Sequence, residues 1–481
     1  MKNAAAVLGI LLSVAGGNVL PAQERIRKPP PFEPIDVLRL PPLQSHTFPN
    51  GLKLWIAARD PAPVMSLHLI IGGGECASPP QLPGLATLAA TVLGFSTETR
   101  RPAEVEEAVE AIGGALTARA FPDVLRLGFH FLEENVDDAL ALVGDIILRP
   151  SFTERAFQIA KTTVTYDLLE KERDLEFAAK RLLLRQLFQG HPYERFAFSR
   201  DAIRDWTLKD LVLFIDRIVR PNNAQLLLVG NVNIDTASRK VSHVLNTWAR
   251  RDPLPAPVPA LRPPERDRLA FIDVPQAKDC AIYAGTTLPP LAAADSAALA
   301  VLNQIVGGTQ YSRLFMNLRE SNNYAYYAYS EIETYRAGEA FLVRAVVTTD
   351  VIGPAVVQVL GEVRRLAKEP PSAQEVEQAK GYLIGRFPVS IERPEAFSGR
   401  IADILSSNGG QDQWSRSSEI VIGVDAERTF VLAQRILAQP FLVVIAGAKE
   451  ACQSGLSGFD EIDFYDDKGQ FVSRQTKRKE S

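Results

Sequence analysis

Only three cysteines, Cys76, Cys280 and Cys452, occur in 481 residues, far apart and odd in number. A disulfide framework and a cysteine-bound zinc are thereby excluded, and one disulfide at most stays open. Three small buried side chains are the simpler reading. Histidine is nearly as rare, five in all, and His46, His68, His191 and His243 have no second histidine three or four positions on. Isolated histidines of this kind read as ordinary core or surface residues. Neither sign of charge dominates: 53 Lys and Arg stand against 57 Asp and Glu, net −4, with the basic residues scattered. No phosphate-tracking surface follows, so nucleic acid is excluded as a partner. Beyond the first residues no apolar run reaches the roughly 18 to 20 that cross a bilayer, so the mature chain carries no membrane span.

What is present is a folded chain, 46% apolar and 23% charged, long enough for two to four domains. Met1-Lys2, the apolar run Ala4 to Val14 and then Val19-Leu20-Pro21-Ala22 read as a secretory signal over 1–22, with the mature chain starting at Gln23. No cysteine stands at the cleavage site, which argues against a lipid anchor; in a Gram-negative cell the product is periplasmic. Residues 23–44, with Lys28-Pro29-Pro30-Pro31-Phe32-Glu33-Pro34, form a proline-rich extended arm. A second cluster, Pro253, Pro255, Pro257, Pro259, Pro263 and Pro264, makes 251–268 a semi-rigid linker between domains at 45–250 and 269–457, and 458–481 is a polar tail.

The two domains resemble each other. Thr153-Glu154-Arg155-Ala156-Phe157-Gln158-Ile159-Ala160-Lys161 has a counterpart in Ser372-Ala373-Gln374-Glu375-Val376-Glu377-Gln378-Ala379-Lys380, each opening on a capping hydroxyl. Leu226-Leu227-Leu228-Val229-Gly230 matches Val443-Val444-Ile445-Ala446-Gly447, a buried-strand pattern closed by glycine. In the first domain, Lys53–Ala57 and Ser66–Ile71 predict strands, 84–98 and 102–112 helices, Ala115–Phe121 and Val124–Phe131 an antiparallel pair, and Val136–Leu148 an amphipathic helix. The fold class is α+β: one unit duplicated, each copy a β-sheet with helices packed on one face.

Five segments carry a resemblance: Phe48-Pro49-Asn50-Gly51-Leu52, Gly72-Gly73-Gly74-Glu75, Gly84-Leu85-Ala86-Thr87-Leu88-Ala89-Ala90-Thr91-Val92-Leu93, Tyr311-Ser312-Arg313-Leu314-Phe315 and Leu318-Arg319-Glu320. Singly each is weak. In this order on a duplicated chain, they resemble the insulinase/pitrilysin/mitochondrial-processing-peptidase family, and the resemblance covers nearly the whole mature chain. It implies a half clamshell of two processing-peptidase-like domains. Active members carry an inverted zinc motif, H-x-x-E-H, which falls here on Thr87, Ala90 and Thr91; the third ligand, a Glu downstream, falls at about Asp167. Two hydroxyls and a methyl cannot replace two imidazoles and a catalytic carboxylate, and one carboxylate cannot hold zinc alone. This chain is therefore read as holding no metal or other cofactor. His130-Phe131-Leu132-Glu133-Glu134 imitates the motif, but a strand precedes it, and on a strand residues three apart face opposite sides.

The resemblance also implies what the second domain keeps. In active members an Arg and a Tyr seven positions apart reach across to the substrate carbonyl, and Arg319 and Tyr326 stand at those positions. A guanidinium fork and a phenol aimed at charge that grows in the transition state suit that role. The bland alternative puts Arg319 in a helical salt bridge and Tyr326 in a strand core amid Tyr324, Tyr327 and Tyr329. Asn322-Asn323-Tyr324 departs from the family's glycine-containing stretch. Gly307 and Gly308, in Val306-Gly307-Gly308-Thr309-Gln310, sit where the non-catalytic processing-peptidase subunit has a substrate-sensing glycine loop; a helix exit is the simpler reading. The pattern implies the non-zinc subunit of a heterodimeric metallopeptidase, inactive alone. A homologous partner with an intact motif supplies the zinc, and the substrate is a peptide. The alternative is an inert structural or peptide-binding protein of the same fold; a self-sufficient hydrolase would need His130 and Glu133 to converge.

Overall fold

Alternating apolar residues fold into two twisted sheets in the computed structural model, which describes residues 40–59, 63–252, 257–409 and 417–476. The leader expected at 1–22, arm residues 23–39, linker residues 253–256 and tail residues 477–481 lie outside the described residues. The first half runs β1 (Leu43–Thr47), β2 (Lys53–Ala58), β3 (Val64–Gly72), α1 (Leu85–Leu93), α2 (Pro102–Ala111), β4 (Ala115–Ala120), β5 (Val124–Leu132), α3 (Val136–Leu148), α4 (Glu154–Lys171), α5 (Leu175–Leu187), α6 (Arg200–Arg204), α7 (Leu208–Ile218), β6 (Ala224–Gly230) and α8 (Ile234–Leu245). The second runs β7 (Arg268–Asp273), β8 (Asp279–Leu288), α9 (Ala293–Asn303), α10 (Arg313–Phe315), β9 (Ala325–Tyr335), β10 (Gly338–Thr348), α11 (Ile352–Leu366), α12 (Ala373–Ser390), α13 (Pro394–Ser406), further helices at Ala426–Leu437 and Lys449–Leu456, β11 (Leu442–Gly447), β12 (Glu461–Tyr465) and β13 (Phe471–Thr476).

Duplication is written into the strand order. Five strands of each sheet run β2-β6-β3-β5-β4 and β7-β11-β8-β10-β9. In both, the first pair is parallel and the rest antiparallel. The matched glycine-ended runs are the equivalent strands β6 and β11. The matched helices α4 and α12 both start on the expected hydroxyl, Thr153 accepting from the Ala156 amide and Ser372 from that of Glu375, each at 3.2 Å.

Each sheet buries one face under helices of its own half. Leu54, Leu67, Leu69 and Leu226 pack with Leu85, Leu88 and Leu140, and Phe271, Ile282 and Ile445 pack with Leu302 and Val359. Every such side chain contributes about 1.5–3 kcal/mol through burial. The opposite faces add something the sequence reading did not contain. Helix α5, from the first half, lies on the second sheet, with Ala179, Leu182 and Leu183 against Tyr283, Leu342 and Val444. Helix α13, from the second half, lies on the first, with Phe397, Ile401 and Leu405 against Trp55, Ile70 and Leu227. The halves thus hold each other by exchanged helices.

Three segments differ from expectation. Helix α1 stops at Leu93 instead of reaching 98, because Gly94 follows and Thr97 turns to give its hydroxyl to buried Asp145 at 2.7 Å. Segment 458–481 is not a plain polar tail: β12 and β13 extend the second sheet, since Ile462 and Phe464 alternate with Asp463 and reach the core. Within the proline linker Leu261 is buried, its amide on the carbonyl of Ala337 at 2.8 Å, so that stretch is packed in place.

Candidate functional site

Helix α1 begins without a capping side chain, because its first flanking residue is Gly84 in the left-handed region (φ 85°). A Cβ there would come within 2.7 Å of the Phe198 and Trp206 rings, so glycine is required and the cap must come from elsewhere. It comes from Glu75, fully buried in the turn after β3. The Glu75 carboxylate accepts from the Thr87 hydroxyl at 2.5 Å, the Thr87 amide at 2.8 Å, the Ser78 hydroxyl at 2.9 Å and the Gly84 amide at 3.1 Å. A carboxylate at a helix N-terminus meets unpaired amides and the positive end of the dipole. Burial pushes the acid's pKa up and these donors pull it back.

This arrangement occupies the positions where the resemblance leads one to expect the zinc motif. Thr87 is spent on Glu75, Ala90 is a buried methyl, and Thr91 donates to the Thr87 carbonyl of its own helix at 3.0 Å. Asp167 lies on α4, which packs against α1, but its side chain is exposed. A zinc ion does not fit this donor set, which lacks imidazole altogether. Among the described residues no group of three or more His, Cys, Asp or Glu could hold a metal.

The imitation motif is dispersed, though not by opposite strand faces: the strand ends at Leu132, before Glu133. His130, on β5, bonds Ser66 at 2.8 Å, whereas Glu133, in the following turn, accepts from Asn231 at 3.1 Å. Beside His130 stands buried His68, whose ring contacts Ser398 of α13 at 3.0 Å through Nε2 while Nδ1 has no hydrogen-bond partner among the described residues. Burial first, then Arg126 and His130, push His68 down to about 3.

Arg319 is tied to the residue before Tyr326. Arg319 lies in a π-helical turn, Met316–Ser321, and its Nη1 donates to the carbonyl of Ala325 at 3.3 Å, one residue before Tyr326. The chain between them turns at Asn323, whose φ of 54° does the work of the glycine that is missing here. Tyr326 is 56% exposed and is not a strand-core residue. The reason is a β-bulge: Tyr327 pairs with Val346 and Ala325 with Val347, so Tyr326 has no partner on β10. The extra residue lets both Ala325 and Ala328 face the core and turns Tyr326 outward, the kind of re-aiming bulges produce. The other tyrosines of β9 have structural work, Tyr327 on Glu176 of α5, Tyr329 against Phe315 and Tyr335 against Tyr193.

Gly307 is buried, and a Cβ there would sit 2.3 Å from the Ser330 amide of β9, so close helix-to-strand packing demands glycine. Gly308 is half-buried beside a cleft of about 410 Å³ lined by Gln304, Thr309, Tyr311, Glu375, Gln378 and Tyr382. Sequence reasoning missed Glu75 and the bulge. The first had a signal, a helix lacking a capping side chain downstream of an isolated glutamate; the second had only two small residues three apart in a strand.

Comparison with known proteins bears on the family and the fold. The family described as "Insulinase (Peptidase family M16)" matches residues 54–199, and "Peptidase M16 inactive domain" matches 205–383. A "Non-peptidase homolog YmxG" of Helicobacter pylori is 25% identical over 346 residues, 70% of this chain and 78% of that protein. "Zinc protease PqqE" of the same organism is 22% identical over 378 residues, 77% of this chain and 84% of that protein. A solved peptidase M16 inactive domain from Pseudomonas fluorescens has a similar fold, with a TM-score of 0.77 at 19% identity over 84% of this chain and 97% of its own.

Proposed function

The chain belongs to the insulinase family of peptidases, M16, and from that premise we propose that it is a non-catalytic family member that completes a zinc peptidase in trans. A homologous subunit with an intact motif would supply the metal. This chain would supply Arg319 and Tyr326, whose donors face the substrate carbonyl as its oxygen gains charge, a contribution of roughly 3 kcal/mol per donor. The observation that carries the reading is the bulge that puts Tyr326 in solvent, one residue after the carbonyl that Arg319 holds. A guanidinium has five N–H donors, so one bond to Ala325 fixes its direction and leaves the rest for a substrate.

The substrate would be a peptide in extended form. Strand β4 is an edge of the first sheet and borders α1, and β9 is an edge of the second. Such edges bind peptides by strand addition. The cleft beside Gly308 would take part of the chain. The leader expected at 1–22 would take the protein out of the cytoplasm, which in a Gram-negative cell means the periplasm. One observation favours the other reading, an inert peptide-binding or structural member: the Arg319 bond to Ala325 also serves to close the turn before β9. Cleavage of peptides by this chain mixed with a motif-bearing homologue, with and without the Arg319 and Tyr326 side chains, separates the two.

A further inference from the structure

Two of the three cysteines, 172 positions apart in sequence, meet in the second core. Cys280 lies near the start of β8, a strand held on both sides by β10 and β11. Cys452 lies on the helix Lys449–Leu456, which leaves β11 through the single residue Ala448. Their sulfurs are 3.1 Å apart and both residues have 0% exposure. Space for the approach is built in: a Cβ on Gly447, at the end of β11, would stand 2.5 Å from the Cys280 sulfur. Against a bond length of about 2.05 Å, the sulfurs are only about 1 Å short. Cys76 belongs to a different cluster, with Ala337 and Val258.

We propose that Cys280 and Cys452 form a disulfide that ties the last helix of the second half to its central sheet. The oxidant is a disulfide carried by a thiol–disulfide oxidoreductase or by glutathione. A cysteine thiolate of this chain attacks that disulfide, its S–S bond breaks and one thiolate leaves. The second cysteine thiolate then displaces the other, so that two electrons pass from the cysteine sulfurs to the oxidant. Both cysteine protons end on the released thiols. Because neither sulfur meets solvent once the helix docks, the exchange belongs to the folding chain and the finished bond resists reduction in the native state. The bond encloses most of the half that carries Arg319 and Tyr326, which suits a chain that works in an oxidising compartment.

The test is a thiol count by alkylation of the full chain, unfolded in the absence of reductant. It is made both on protein exported to an oxidising compartment and on protein refolded in mixed oxidised and reduced glutathione. One alkylated residue, Cys76, is expected, with a mass before alkylation two hydrogens below that of the reduced chain, a cross-linked peptide pairing Cys280 with Cys452, and three alkylated residues after reduction. Reductant should lower the Tm of the wild type and leave that of Cys280→Ala and Cys452→Ala unchanged. Three free thiols in both preparations, or a bond to Cys76 as abundant as that between Cys280 and Cys452, would overturn the proposal. The wild-type count stands whether or not either variant folds.

Discussion

Thr87 gives both its amide and its hydroxyl to one oxygen of Glu75, at 2.8 and 2.5 Å. A residue that falls at a zinc-ligand position is thus used to fasten its helix to a buried acid. Thr87→Val keeps the shape and removes one donor, leaving the carboxylate short of a partner. A loss of about 1–3 kcal/mol in urea unfolding is expected. Zinc retention should not change: wild type and variant alike hold well under one equivalent after dialysis, and His130→Ala makes no difference. Stoichiometric zinc that disappears in His130→Ala would contradict the account of both segments.

Acid should loosen the contact between the halves. In the folded chain His68 is pushed down to about 3, against 6.5 for an ordinary histidine. Between those values the unfolded state binds the additional proton, so stability is present above the upper value and is lost as the pH falls toward the lower. His68 bonds Ser398 of α13, so the protonated ring would be unwelcome where that helix crosses the first sheet. Urea midpoints measured at about pH 7.5 and about pH 5 should differ more in the wild type than in His68→Asn. Equal differences would mean that His68 does not report acid sensitivity.

Asn323 should tolerate glycine and resist alanine. Its φ of 54° costs a residue with a plain Cβ about 1–2 kcal/mol, whereas glycine takes it freely. Asn323→Ala is therefore expected to destabilise by about 1 kcal/mol and Asn323→Gly to stay near the wild type. Thermal unfolding of the two side by side decides it.

How much of this was legible beforehand follows from which interactions are local. The capped helices at Thr153 and Ser372 and the glycine-ended strands β6 and β11 are written in neighbouring residues, and the duplicated α+β class came with them. The exchange of α5 and α13 was not, because which sheet an apolar helix face covers depends on the whole path of the chain. At the candidate site, the lack of imidazoles at Thr87 and Thr91 and of a carboxylate at Ala90 was plain from residue type. The compensating role of Glu75 depends on a turn bringing together residues twelve apart. The exposure of Tyr326 depends on a one-residue slip against β10, which strand periodicity conceals.

The claim that Arg319 and Tyr326 serve a partner's active site is tested most directly by turnover. The chain is mixed with a homologous subunit that carries the zinc motif, and peptide cleavage is followed alongside complex formation by gel filtration. Arg319→Ala and Tyr326→Phe should each lower kcat by roughly 10²- to 10³-fold with KM and association little changed, and Arg319→Lys should rescue poorly because an ammonium lacks the planar fork. Near-normal turnover by both variants in an intact complex would contradict the account and leave the pair as a fastening of the turn before β9.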